Sequence, residues 1–109
     1  MKKILITAPV HPLLLERLEA MRYQVLFEPT ISYEDLLHKV EDVTGIVATT
    51  RIPIDKRMIQ AAGRLEWIGR LGSGMELIDA SYAETKGIRC FSTPEGRTNQ
   101  TIVQGSKVY

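Results

Sequence analysis

Apolar residues recur along this chain in short runs separated by amphipathic stretches. "KILIT" (3–7), "YQVLF" (23–27), "GIVAT" (45–49), "LEWIG" (65–69) and "IRCFS" (88–92) are the runs. Short, mostly apolar runs of this kind suit strands buried on both faces of a parallel sheet. The stretches between them read as helices. In "HPLLLERLEAM" Leu14, Leu15 and Leu18 share one stripe, and Pro12 fits a first helical turn. Ser32 with Asp35 three residues on approximates a capping box and opens a second helix in "SYEDLLHKVED". Asp55 caps a third, with Met58, Ile59 and Ala62 on its apolar side and Gly63 as its stop. Asp79 caps a fourth, which Gly87 ends. Five strands alternating with four helices through short connections predict an α/β fold. Its sheet is open, parallel and five-stranded, with right-handed crossovers and helices on both faces. After Pro94 the chain turns polar, with one apolar pair, Ile102–Val103. Either a fifth helix starts there, capped by Thr98 or Asn99, or the tail frays.

The length, 109 residues, suits one compact domain. The composition is 44% hydrophobic and 25% charged with a formal net charge of +1, which excludes neither a core nor solubility but argues against a polyelectrolyte partner. Basic residues are not clustered and aromatics are sparse, so nucleic acid is not expected as a partner. Cys90 is the single cysteine, so no internal disulfide forms, which fits a reducing cytoplasm. The apolar run after Lys2 and Lys3 is too short for a signal peptide and reads as a first strand. No run approaches the ~18 apolar residues of a membrane span, so no membrane is expected.

The stretch with chemical capacity is "RLGSGMELID", residues 70–79. A dinucleotide fingerprint needs Gly-x-Gly-x-x-Gly after the first strand, and here Leu77 stands in the third glycine's place after the fourth. A phosphate P-loop would need a following Gly-Lys-Ser/Thr. Gly72 and Gly74 therefore serve either a tight turn or an anion nest of successive N–H groups. Arg70 lies just before this loop, and Arg51 lies past the third strand in "TTRIPID". In open parallel sheets ligands bind at the carboxyl ends of the strands, and a guanidinium there can take a carboxylate or phosphate. One arginine alone is most simply solvated; two at neighbouring strand ends favour a site. His11 reads as a helix cap, His38 as solvated in a helix body, and Cys90 as a buried, inert thiol. Glu41 and Asp42 read as a solvated helix end, and no cluster has metal-ligand spacing.

"LEWIGRLGSGMELIDASYAETKGIRCFSTPEG" is the specific part of the sequence. With Gly69, Arg70, Gly72, Gly74, Asp79, Gly87, Ile88, Thr93, Pro94 and Gly96 in place, it resembles the N-terminal part of the D-2-hydroxyacid dehydrogenases. The likeness is to the D-3-phosphoglycerate and glycerate dehydrogenase branch, and it runs from residue 1 to about 104. The resemblance implies a flavodoxin-like substrate-binding domain over 1–96. Residues 97–109 would be the start of an inter-domain helix or a frayed tail. It implies that the backbone at Ser73, Gly74 and Met75 holds a substrate carboxylate. Arg51, together with Arg70, would hold the carboxylate or phosphate end of a small 2-hydroxy or 2-oxo acid. The family's nucleotide fingerprint and its catalytic Arg, acid and His fall downstream of this sequence. No catalytic residue and no cofactor are therefore expected here, although the parent family uses NAD. Gln104 stands where the family usually has an acid, and "SKVY" lacks the apolar continuation of its helix. Two expectations follow. One is a partial dehydrogenase, inactive alone. The other is a non-enzymatic, flavodoxin-like module that binds an anion or self-associates, with an uncovered apolar face leaving room for a homodimer.

Overall fold

The computed structural model describes residues 2–10, 12–48, 52–71 and 78–93. In chain order they form β1 (Lys3–Ile6), α1 (Pro12–Ala20), β2 (Gln24–Phe27), α2 (Tyr33–Lys39), β3 (Val43–Ala48), α3 (Lys56–Ala61), β4 (Trp67–Leu71), α4 (Ala80–Thr85) and β5 (Arg89–Thr93). A short 3-10 turn, Val40–Asp42, joins α2 to β3. All five strands are parallel, in the order β2-β1-β3-β4-β5. This is the flavodoxin-like order, in which the order of winding reverses once, at β1/β3.

The helix starts follow from short polar side chains. Ser32 Oγ accepts from the Asp35 N–H, Asp55 from the Met58 N–H and Asp79 from the Tyr82 N–H. Each satisfies one of the N–H groups that a first helical turn leaves without a partner. Asp55 also accepts from the Tyr33 hydroxyl at 2.8 and 2.9 Å, which ties the start of α2 to the start of α3. Burial, and then this bond to Asp55, raise the Tyr33 hydroxyl above its ordinary range.

Most strand ends shift by one or two residues from the sequence pattern, β3 beginning at Val43 rather than Gly45, and two boundaries differ for a physical reason. The fourth strand begins at Trp67 and runs to Leu71, two residues later than the apolar run. Leu65 instead closes the turn after α3, its N–H bonded to the Ala62 carbonyl at 3.1 Å, while its side chain enters the core. Gly63 does not stop α3 by a left-handed turn. Ala62 ends the helix by leaving helical ψ at φ −92°, ψ 69°, and among the described glycines only Gly87 has a positive φ.

Among the described residues the two faces of the sheet are unequally covered. Ile4, Ile6, Val47 and Trp67 pack with Leu14 and Leu18 of α1 on one face. Leu5, Ile46, Ala48 and Ile68 pack with Leu36, Met58, Ile59 and Ala83 of α2, α3 and α4 on the other. Alternate residues of one strand thus serve different layers, which is why the strands read as continuous apolar runs. Among the described residues helices lie on both faces, one on the first and three on the second.

Candidate functional site

The carboxyl ends of β3 and β4 lie side by side. Their pairing runs Gly45↔Trp67, Ile46↔Ile68, Val47↔Gly69 and Ala48↔Arg70. The chain then leaves both strands and is joined again. Ile54 forms a parallel bridge with Ile78, and the Asp79 N–H donates to the Ile54 carbonyl at 3.0 Å. Ile54 is fully buried and Ile52 and Ile78 nearly so, which holds the rejoined segments against the core. Residues 49–53 and 72–77 link these points in sequence, and the described residues that flank them, Ala48 and Ile54, Leu71 and Ile78, are held by the strand pairing and the bridge. Asp79 serves twice, as bridge donor and as cap of α4.

The sequence pattern does not show this bridge. Its trace is a set of apolar residues, Ile52, Ile54 and Ile78, in stretches that otherwise read as loop. Arg51, Ser73, Gly74 and Met75 belong to these connections by sequence and lie outside the described residues, as does His11.

Arg70 is described, and its place differs from the expectation. It is inside β4, not just past it, paired with Ala48 on one side and Ser92 on the other. It is 5% exposed, so it is not a solvated surface arginine. Alternation puts it on the same face as Ile68. Its Nη1 donates to the Leu71 carbonyl at 3.4 Å. A buried guanidinium is unfavourable unless its donors are used, so Arg70 brings a fixed positive charge to the carboxyl end of the sheet.

The other candidates fall away from this end. His38 is exposed in the last turn of α2. Asp42 is exposed and paired with Lys3 at 2.6 Å, and that bond holds its carboxyl below the usual range. Cys90 is half-buried in β5; burial, then the Glu84 charge, push its thiol up to about 11. At neutral pH it is a thiol, not a thiolate, and no nucleophile. Among the described residues no group of His, Cys, Asp or Glu could hold a metal ion. No described helix is long and apolar enough to cross a membrane. The described residues do not fit a dinucleotide either. The turn after β1 is "TAPV", without glycine. Thr7 is occupied there, its hydroxyl donating to the Val47 carbonyl at 2.9 Å, and Pro9 and Pro12 offer no N–H.

The catalytic-domain model of the D-isomer specific 2-hydroxyacid dehydrogenases matches residues 4–101. The chain belongs to this family. A D-3-phosphoglycerate dehydrogenase of Sus scrofa is 30% identical over 98 residues, 90% of this chain and 18% of the relative. One of Methanocaldococcus jannaschii is 33% identical over 95 residues, 87% of this chain and 18% of the relative. The chain thus spans under a fifth of the length of these curated relatives. Among solved structures, the NAD+-bound 3-phosphoglycerate dehydrogenase of Entamoeba histolytica superposes with a TM-score of 0.74 at 25% identity, covering 85% of this chain and 33% of that one. A Pyrococcus horikoshii protein reaches 0.79 at 22% identity, over 85% of this chain and 28% of its own, a likeness of fold. The family's catalytic domain is thus the frame in which the β3 and β4 ends are to be understood.

Proposed function

We propose that this chain forms the substrate-side half of an NAD-dependent D-2-hydroxyacid dehydrogenase. The parent reaction passes hydride between NAD and the hydroxyl-bearing carbon of an acid such as 3-phosphoglycerate or glycerate. Residues 1–96 are the substrate-binding domain, and 97–109 lead toward the nucleotide-binding domain or end as a tail. The backbone N–H groups of Ser73, Gly74 and Met75 take the substrate carboxylate, and Arg51 and Arg70 supply positive charge to its carboxylate or phosphate end. One observation carries this reading. Arg70 is buried at the end of β4 beside β3, and the residues that flank the connections carrying Arg51 and Ser73, Gly74 and Met75 are held together again at Ile54–Ile78. NAD itself has no cradle among the described residues, so hydride transfer is assigned to the whole protein.

The chain alone, given NAD and D-glycerate or 3-phosphoglycerate, is expected to form no NADH; steady NADH production contradicts the proposal. Trp67 is the one tryptophan, buried three residues before Arg70, and reports on the site. Titration with 2-oxo acids or 3-phosphoglycerate is expected to change its emission to saturation. Gly74→Val is expected to weaken binding by about tenfold, ~1.4 kcal/mol. Unchanged affinity removes the nest and leaves the non-enzymatic module as the better description. For that module, Leu13 (37% exposed) and Phe27 (44%) are the exposed large apolar side chains among the described residues through which a homodimer could form. Light scattering of the concentrated chain decides this. A cytoplasmic setting rests on Cys90 alone.

A further inference from the structure

We propose that Tyr33 is a positioning residue for the substrate site: through Asp55 it holds the Ile54 end of the connection that carries Arg51. This role rests on the substrate reading above, in which the connections beside Ile54 and Ile78 take a carboxylate. The Tyr33 hydroxyl lies 2.8 and 2.9 Å from the two Asp55 carboxylate oxygens, to which it donates. One of these oxygens also accepts from the Met58 N–H at 3.0 Å and so caps α3. Capping does not need the second donor. Ser32 and Asp79 cap α2 and α4 with one such bond each, and of the three caps only Asp55 also receives a side-chain donor from another helix. Tyr33 stands 22 residues earlier, at the start of α2. Its ring is half-buried against the larger core cluster, so the hydroxyl is anchored. Arg57 lies over that ring at 6.0 Å, and its pair with Glu34 is exposed on both sides and adds little.

Asp55 follows Ile54 directly. One planar peptide thus joins the Ile54 carbonyl, which accepts from the Asp79 N–H at 3.0 Å, to the Asp55 Cα that carries the carboxylate. Asp79 in turn caps α4. The bonds Tyr33–Asp55 and Asp79–Ile54 therefore link the starts of α2, α3 and α4 around the Ile54–Ile78 bridge. Flanking residues that are already placed leave a binding segment less freedom to lose when its ligand arrives. Without the Tyr33 hydroxyl the Ile54–Asp55 peptide keeps its bonds to α3 and Asp79 but loses α2, and its ordering falls to the ligand. Tyr33 touches no substrate in this scheme; it acts through Asp55.

The test is amide hydrogen exchange and pyruvate titration, both by heteronuclear NMR of the whole chain, in wild type and Tyr33→Phe. In Tyr33→Phe the Asp79 amide is expected to exchange about tenfold faster, the Ile46 and Ile68 amides of the sheet to stay within about twofold, and pyruvate to bind about fivefold more weakly. A merely structural tyrosine would speed all three amides alike. Asp55→Ser keeps a cap for α3 and removes the carboxylate, so it should release Asp79 equally, and the double variant no further. It preserves the test if Tyr33→Phe does not fold. An unchanged Asp79 amide in either folded variant, equal speeding of Ile46 and Ile68, or full pyruvate affinity in Tyr33→Phe overturns the role of Tyr33 and leaves the substrate reading in place. A wild-type chain that takes no pyruvate overturns the substrate reading and this role with it.

Discussion

Gly45 and Trp67 are direct partners across β3 and β4, and the indole lies over the glycine. A Cβ at Gly45 would overlap the indole Cε2 and Cζ2 atoms. Trp67 is 1% exposed and stacks on Phe91 of the next strand, with ring centroids 5.7 Å apart, so it has nowhere to move. Gly45→Ala should therefore cost about 2–3 kcal/mol, as overpacking does. Most of that loss should vanish in a Trp67→Val background, which a double-mutant cycle by urea denaturation would measure. Additive losses would mean that Gly45 is needed for another reason. Cys90 gives a second prediction. Its thiol titrates at about 11, so folding favours the protonated form. The associated stability is complete below the ordinary thiol pKa and is lost as pH rises through about 11. At pH 8 iodoacetamide should alkylate Cys90 about a hundredfold more slowly than a free thiol of pKa ~8.5. Equal rates would contradict burial of the thiol. That Cys90 lies in a strand was legible from its position in an apolar run, although it is half-buried rather than buried; the Gly45–Trp67 contact was not, because it joins residues on different strands.

At the scale of elements, two helices end in the same way with different residues. After α4 the Gly87 N–H bonds to Glu84 and the Ile88 N–H to Ala83, with Gly87 at φ 76°. After α1 the Arg22 N–H bonds to Glu19 and the Tyr23 N–H to Leu18, with Arg22 at φ 69°. Both are Schellman ends, and the left-handed position favours glycine. Arg22→Gly should raise stability by about 0.5–1 kcal/mol, and Gly87→Ala should lower it by about 1 kcal/mol, in chemical denaturation. A loss from Arg22→Gly would mean that the arginine side chain outweighs the backbone strain. Caps explain what was legible at this scale. Ser32, Asp55, Asp79 and Gly87 mark their helix ends because each acts through its own local backbone. Gly63 misleads because it follows a helix that has already stopped at Ala62, and the strand after it slips to 67–71 because Leu65 is apolar for the core rather than for the sheet.

For the molecule as a whole, the alternation of elements, the parallel sheet and the adjacency of the third and fourth strands were readable along the chain. They rest on short-range periodicity and on one topological rule. The burial of Arg70 and the Ile54–Ile78 clamp were not readable, since both depend on which strands become neighbours. The account stands or falls on whether the connections beside that clamp take a carboxylate. Heteronuclear NMR of the labelled chain, titrated with pyruvate or 3-phosphoglycerate, tests this directly. The prediction is saturable amide shifts at residues flanking the two connections, Ala48, Ile52, Leu71 and Ile78, with Arg70→Lys weakening them by about tenfold. Shifts absent up to saturating ligand, or confined to the amino end of the sheet, would contradict it.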